Sequence, residues 1–211
     1  MGFERARNDE QKNIRMKQIT DSARHLFEKN KYENITLAGI ARELSFTRAN
    51  LYKYVASKEE IFLNIIIEDI TKWNDDIVNR FKESEKIAKE KFAKIWTQSF
   101  IDHSHMIKTM SIMYSVIEKN VTIEKLKDFK ISFYKEMQKS INTLLKLFPD
   151  LQRPQIHKFL EMQMFYAIGL YPATIENAIQ KQAIEQAGIP YNPPNFMERF
   201  SDFIIIVLNN L

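Results

Sequence analysis

Thr36–Lys58, TLAGIARELSFTRANLYKYVASK, carries two short helical patterns on either side of a tight junction. Leu37, Ile40, Ala41 and Leu44 recur at i, i+3, i+4 and i+7, the spacing that gathers apolar side chains on one helical face. Thr36 precedes that run in the N-cap position. Beyond the junction Ser45-Phe46, Thr47 is placed to cap a second helix, Arg48 to Tyr54, with Leu51 facing the core. Its outward positions hold Arg48, Asn50, Tyr52, Lys53 and Tyr54. Arg matches O6 and N7 of guanine and Asn matches N6 and N7 of adenine, so a helix with both near its N-terminus suits base edges in the major groove. Tyr hydroxyls and Lys ammoniums bind phosphate oxygens and fix the register. Lys58 opens the next helix, where its ammonium and the backbone N–H groups are expected to meet one more phosphate. The pattern is a helix-turn-helix. The expected DNA-contacting set is Thr36, Thr47, Arg48, Ala49, Asn50, Tyr52, Lys53, Tyr54 and Lys58.

The longer run LFEKNKYENITLAGIARELSFTRANLYKYVASKEEIF resembles the N-terminal signature of the tetracycline-repressor (TetR) family. Leu51-Tyr52-x-Tyr54 followed by Ser57-Lys58-Glu59-Glu60 carries most of the likeness, which covers residues 14–62. The resemblance implies a homodimeric transcriptional regulator whose later helices form a ligand-binding domain. It further implies a repressor released from a quasi-palindromic operator by a small molecule, the long fourth helix moving the DNA-binding heads out of register. Three positions depart from the family pattern. Lys31 and Ser45 stand where members usually have Gly, which reaches φ > 0 without a Cβ penalty. Asn30 is expected to take the left-handed conformation in place of Lys31. Val55 stands where a bulky aromatic is common, giving a smaller wedge behind the recognition helix.

Composition points the same way. Four Gly in 211 residues, with long stretches rich in Ile, Leu, Lys, Glu and Phe, argue for an all-α protein. The net charge is +4, and residues 1–60 hold 12 Lys/Arg against 9 Asp/Glu, so most of the surplus falls on the helix-turn-helix segment. Zero cysteines exclude disulfides and thiolate metal sites. No apolar run approaches membrane-span length, and the N-terminal segment lacks the apolar stretch of a signal peptide, so a cytoplasmic location is expected. No nucleophile elbow, P-loop or Gly-rich phosphate loop occurs, and enzymatic readings find no motif. No cofactor is expected.

The division expected is residues 1–56 as the DNA-binding domain, with 1–12 frayed, and 57–211 as a ligand-binding and dimerisation domain. Helices are expected over Asn13–Lys29, Ser57–Phe81, Ile87–Ser104, His105–Lys119, Ile123–Leu147, Pro154–Tyr171 and Phe196–Asn209, with a softer, Pro-broken segment over Ala173–Pro194. Trp96, Phe100, His103, Met106, Met110, Met113, Phe133, Met137, Met162 and Phe165 are candidates for lining an apolar or amphipathic effector pocket, since Met gives adaptable walls. Packed core is the competing reading for each. His103 and His105, at i and i+2, point about 200° apart and cannot share a metal on one helix; one of them is expected to reach the pocket. The helices holding Phe159–Tyr171 and Phe200–Leu208 are apolar on every side, more than a monomer core requires. A four-helix dimer interface follows, with Phe159, Gln163, Tyr166, Leu170, Phe200, Phe203, Ile206 and Val207 as its candidates. The alternative is a DNA-binding regulator without an effector, whose second domain serves dimerisation or partner recruitment.

Overall fold

The structure is a computed structural model describing residues 2–175 and 177–211, with side chains from Glu10 onward. Its described residues form ten α-helices and no strand. These are α1 (Gly2–Lys29), α2 (Leu37–Glu43), α3 (Arg48–Leu51), α4 (Lys58–Arg80), α5 (Lys89–Asp102), α6 (Ser104–Ile112), α7 (Ile123–Leu147), α8 (Arg153–Ala173), α9 (Ala178–Ala187) and α10 (Phe196–Asn209). Two compact units result: residues 1–68 with 112–133, and residues 69–111 with 134–211. Helices α4 and α7 each contribute to both.

Several elements differ from their sequence expectation for local reasons. Helix α1 starts at Gly2, not Asn13, because the stretch after Gly2 is dominated by helix formers and contains no Pro; of the segment expected to fray, Met1 lies outside the described residues. The helix expected over His105–Lys119 ends at Ile112 and continues as a π-helical turn, Met113–Ile117, then a 3-10 turn, Glu118–Asn120. Within the Pro-broken segment α9 forms because Asn177 caps its first turn, accepting from the N–H groups of Ile179 and Gln180, and Gly188 ends it at φ 64°.

The end of α2 decides how the recognition segment is launched. Ser45 N–H donates to the Arg42 carbonyl and Phe46 N–H to the Ala41 carbonyl, the two bonds of a Schellman motif. That motif needs a left-handed residue, and Ser45 supplies it at φ 56°, as Gly188 does after α9. Asn30 does not take the left-handed role expected of it. Its N–H stays in the helical bond to Leu26, its side-chain amide donates to the same carbonyl, and the chain leaves α1 through an extended Lys31 (φ −65°, ψ 147°).

The first unit is cored by Ile19, Ala23, Ile40, Ala41, Leu51, Val55, Ile61, Phe62 and Leu63. Polar ties fix α1 against its neighbours: His25 Nδ1 lies 2.6 Å from Glu43 Oε1, and Arg24 donates to Glu68 at 3.1 Å. The second unit is built on aromatic packing. Trp73, Phe81, Phe92, Trp96, Phe100 and Phe159 are buried, with Trp73 edge-on to Trp96 and Phe100 at 5.3 Å. Helix α10 packs on α5 and α8.

A left-handed non-Gly residue costs about 1–2 kcal/mol, whereas Gly loses about 0.5–1 kcal/mol more in backbone freedom. Ser45→Gly should therefore raise stability by about 0.5–1 kcal/mol in chemical denaturation, and Ser45→Val should lower it. A lower stability for Ser45→Gly contradicts this reading of the turn.

Candidate nucleic-acid interface

Both caps of the helix-turn-helix form. Thr36 Oγ1 accepts from Gly39 N–H and Thr47 Oγ1 from Asn50 N–H, each at 3.1 Å, the side-chain bonds of two N-caps; Asn50 N–H also donates to the Thr47 carbonyl at 3.0 Å. The second helix is shorter than expected. Regular α-structure covers only Arg48–Leu51; Tyr52 to Tyr54 continue as a turn in which Tyr54 N–H and Val55 N–H both donate to the Leu51 carbonyl. Leu51 and Val55 anchor the segment from beneath, 1% and 3% exposed. Above them Arg48, Ala49 and Lys53 are exposed, Asn50 and Tyr54 half-buried, and Tyr52 57% exposed. Each member of the outward set read from the sequence is thus at least partly accessible.

Lys58 is placed otherwise. Its ammonium donates to the carbonyls of Tyr32 and Ile35, both at 2.9 Å, and lies 4.1 Å from the centre of the Tyr32 ring. Two of its three protons thus serve the loop between α1 and α2. Tyr32 completes the box. Its ring meets Phe62 at 4.9 Å and Phe27 at 6.4 Å, both edge-on, and its hydroxyl donates to Glu59 at 2.9 Å. Burial first, and then the hydrogen bond to Glu59, push the Tyr32 hydroxyl far above its ordinary range, so it stays a donor. At the head of α4, Ser57 Oγ accepts from Glu60 N–H at 3.3 Å and the Glu60 carboxylate accepts from Ala56 N–H at 3.2 Å. Motif reasoning does not single out Tyr32; a lone Tyr amid charged residues after the first helix is the only signal the sequence offers for it.

The expected effector residues, all in the second unit but Met113 and Phe133, differ in burial. Trp96, Phe100, Met106 and Met110 are at most 1% exposed and belong to the packed core; Met113, in the first unit, is likewise 1% exposed. His103, Phe133 and Met137 are half-buried, whereas Met162 (37% exposed) and Phe165 (52%) look outward. One ring nitrogen of each histidine meets a carboxylate of α4. His105 Nδ1 lies 2.7 Å from Asp69, which also accepts from Thr109 at 3.2 Å, and His103 Nε2 lies 3.2 Å from Asp76. Arg80 bridges Asp76 and Asp102 at 2.7 and 2.6 Å. Its hydrogen bond, then that of Gln98, holds the Asp102 carboxyl below the usual range.

Among the expected dimer residues, Phe159, Gln163, Phe200 and Val207 are turned inward. Gln163 is fully buried and accepts from Trp96 Nε1 at 3.1 Å. Ile206 is 60% exposed, Leu170 is half-buried, and the half-buried Tyr166 and Phe203 rings stack at 4.0 Å. The apolar surface of this unit thus runs through Met162, Phe165 and Gly169 of α8 and Phe203 and Ile206 of α10. A helix apolar all round does not reveal which side faces out, and this is why Met162 and Phe165 were expected inside.

Residues 19–65 match the family model described as bacterial regulatory proteins, tetR family, and residues 67–209 match the tetracyclin repressor-like C-terminal domain. No curated protein matches the chain. Among solved structures it resembles the fatty acid degradation regulator FadR from Bacillus halodurans, at TM-score 0.54 and 13% identity over 90% of this chain and 94% of that one. It also resembles a TetR transcriptional regulator from Rhodococcus sp. RHA1, at TM-score 0.54 and 11% identity over 97% and 99% of the two chains.

Lys58→Met keeps the stem of the side chain but removes its charged hydrogen bonds, each worth about 1.5–3 kcal/mol. We expect stability to fall by about 2 kcal/mol or more in denaturation, while the salt dependence of DNA binding stays at the wild-type slope. A slope lower by about one with unchanged stability would identify Lys58 as a phosphate ligand instead.

Proposed function

The chain belongs to the TetR family of bacterial transcriptional regulators, and we propose that it acts as a homodimeric repressor released from its operator by a small apolar or amphipathic effector. Arg48 and Asn50 read base edges, and Tyr52, Lys53 and Tyr54 hold phosphates. The observation that supports this reading is the accessibility of these side chains on a segment anchored by the buried Leu51 and Val55.

Dimerisation through α8 and α10 is supported by the apolar surface of Met162, Phe165, Phe203 and Ile206. Gly169 lies on the same side of α8, and a Cβ built there would meet nothing within 4 Å, leaving room for a partner helix. Effector response is supported by the Met- and aromatic-rich packing of α5 and α6 and by the hold of their histidines on Asp69 and Asp76 of α4. An effector that enters here must displace close-packed side chains, so it favours a conformation in which those ties to α4 are altered. Reversing a 1:99 occupancy to 99:1 requires about 10⁴-fold preference for the released state, about 5.5 kcal/mol. A regulator without an effector is the second reading, favoured by the near-complete burial of Trp96, Phe100, Met106 and Met110 in packed core.

DNase protection across the DNA flanking its own coding region should reveal one quasi-palindromic site. Arg48→Ala should weaken that site by about tenfold to a hundredfold, following the 1–3 kcal/mol of a bidentate base contact. Failure to prefer any flanking segment over unrelated DNA contradicts the repressor reading. Light scattering should give twice the 25.1 kDa chain mass, falling to the single mass in Phe165→Glu/Ile206→Glu; a monomeric wild type contradicts the interface.

A further inference from the structure

A groove of about 750 Å³ runs between α1 and the turn that follows α3, lined by Gln11, Lys12, Ile14, Arg15 and Gln18 on one side and Lys53 and Tyr54 on the other. Its wall combines three cations with the amides of Gln11 and Gln18 and the Tyr54 hydroxyl, and no carboxylate is among these lining residues. That composition is unusual for this chain, whose 31 basic residues are nearly matched by 27 acidic ones. Further along α1, Lys17 pairs with Asp21 at 2.9 Å and Arg24 with Glu68 at 3.1 Å. Arg15 is oriented by neutral groups instead, donating to Gln18 Oε1 at 2.9 Å and resting 5.5 Å from the centre of the Phe46 ring.

Resting on the DNA-binding reading above, we propose that this groove is a second phosphate-binding channel, in which Lys12, Arg15 and Lys53 neutralise the duplex backbone beside the stretch held by the recognition segment. Cations gathered on one wall repel one another, and an anionic chain relieves that repulsion while its oxygens accept from the amide and hydroxyl donors. The groove is far larger than a single phosphate, and it shares Lys53 and Tyr54 with the recognition surface. One duplex can therefore meet both, and α1 becomes part of the DNA footprint. Contacts of this kind carry no base information, so they raise affinity for all sequences and make it salt-dependent.

The test uses the full chain and a labelled duplex of unrelated sequence, with affinity measured by anisotropy across a KCl series. Removing one phosphate-binding cation reduces the slope of log K against log salt by about 0.9. Lys12→Gln should lower the slope by about 0.9 and Lys12→Gln/Arg15→Gln by about twice that, whereas Lys12→Arg/Arg15→Lys should keep the wild-type slope. Operator and unrelated DNA should weaken by the same factor in the glutamine variants. Because Arg15 also touches Phe46, Lys12→Gln alone decides the matter if the double variant melts early. A wild-type protein that binds no duplex at low salt removes the DNA-binding reading itself. Wild-type binding with an unchanged slope in Lys12→Gln overturns the channel and leaves that reading intact.

Discussion

One ammonium group governs the geometry on which DNA recognition depends. Lys58 sits at the first turn of α4 and ties that helix to the carbonyls of Tyr32 and Ile35, the loop that delivers α2. The ring of Tyr32 lies against the same ammonium and against Phe62 of α4, and its hydroxyl is taken by Glu59. A charged donor shared between two carbonyls and a ring face has few alternative arrangements, because leaving would strand both carbonyls without this partner. Helix α2 and the recognition segment are thus referenced to the head of α4. In a protein whose recognition helix is a single turn, such external anchoring replaces the rigidity a longer helix would supply.

The same economy appears on both sides of the turn. Thr36 and Thr47 cap helices too short to persist in isolation. Leu51 and Val55 bury the underside of the recognition segment, and Ser45 accepts a left-handed conformation so that α2 can end in a Schellman motif. Further along α4, Asp69 and Asp76 are held by His105 and His103. Helix α4 is therefore fixed by specific polar contacts both where it begins and along its later turns.

Much of this was legible in the residues. The apolar spacing of Leu37 to Leu44, the two Thr caps and the outward Arg48, Asn50 and Tyr52 follow directly from helical period and capping chemistry. Ile66, Ile70, Trp73 and Ile77, at helical spacing along α4, and Phe81 just beyond it are likewise buried. What the sequence hid were choices among equivalent options. A Lys at a helix start serves a phosphate or a neighbouring carbonyl equally well, and only the approach of Tyr32 and Ile35 decides between them. The sides of α8 could not be told apart, so Gln163 was expected outside and Met162 inside, the reverse of their placement. Lys12 fell in the segment expected to fray, and neither it nor Arg15 was singled out; the groove they line with the turn after α3 emerges only from the fold.

Amide hydrogen exchange of the full chain, with and without duplex DNA from the region flanking its coding sequence, probes the anchored recognition segment most plainly. DNA should slow exchange chiefly in the amides of residues 47–55, with a lesser effect along residues 11–18. Protection confined to α5–α10, with residues 47–55 exchanging as fast as in the free protein, would show that the duplex is held elsewhere.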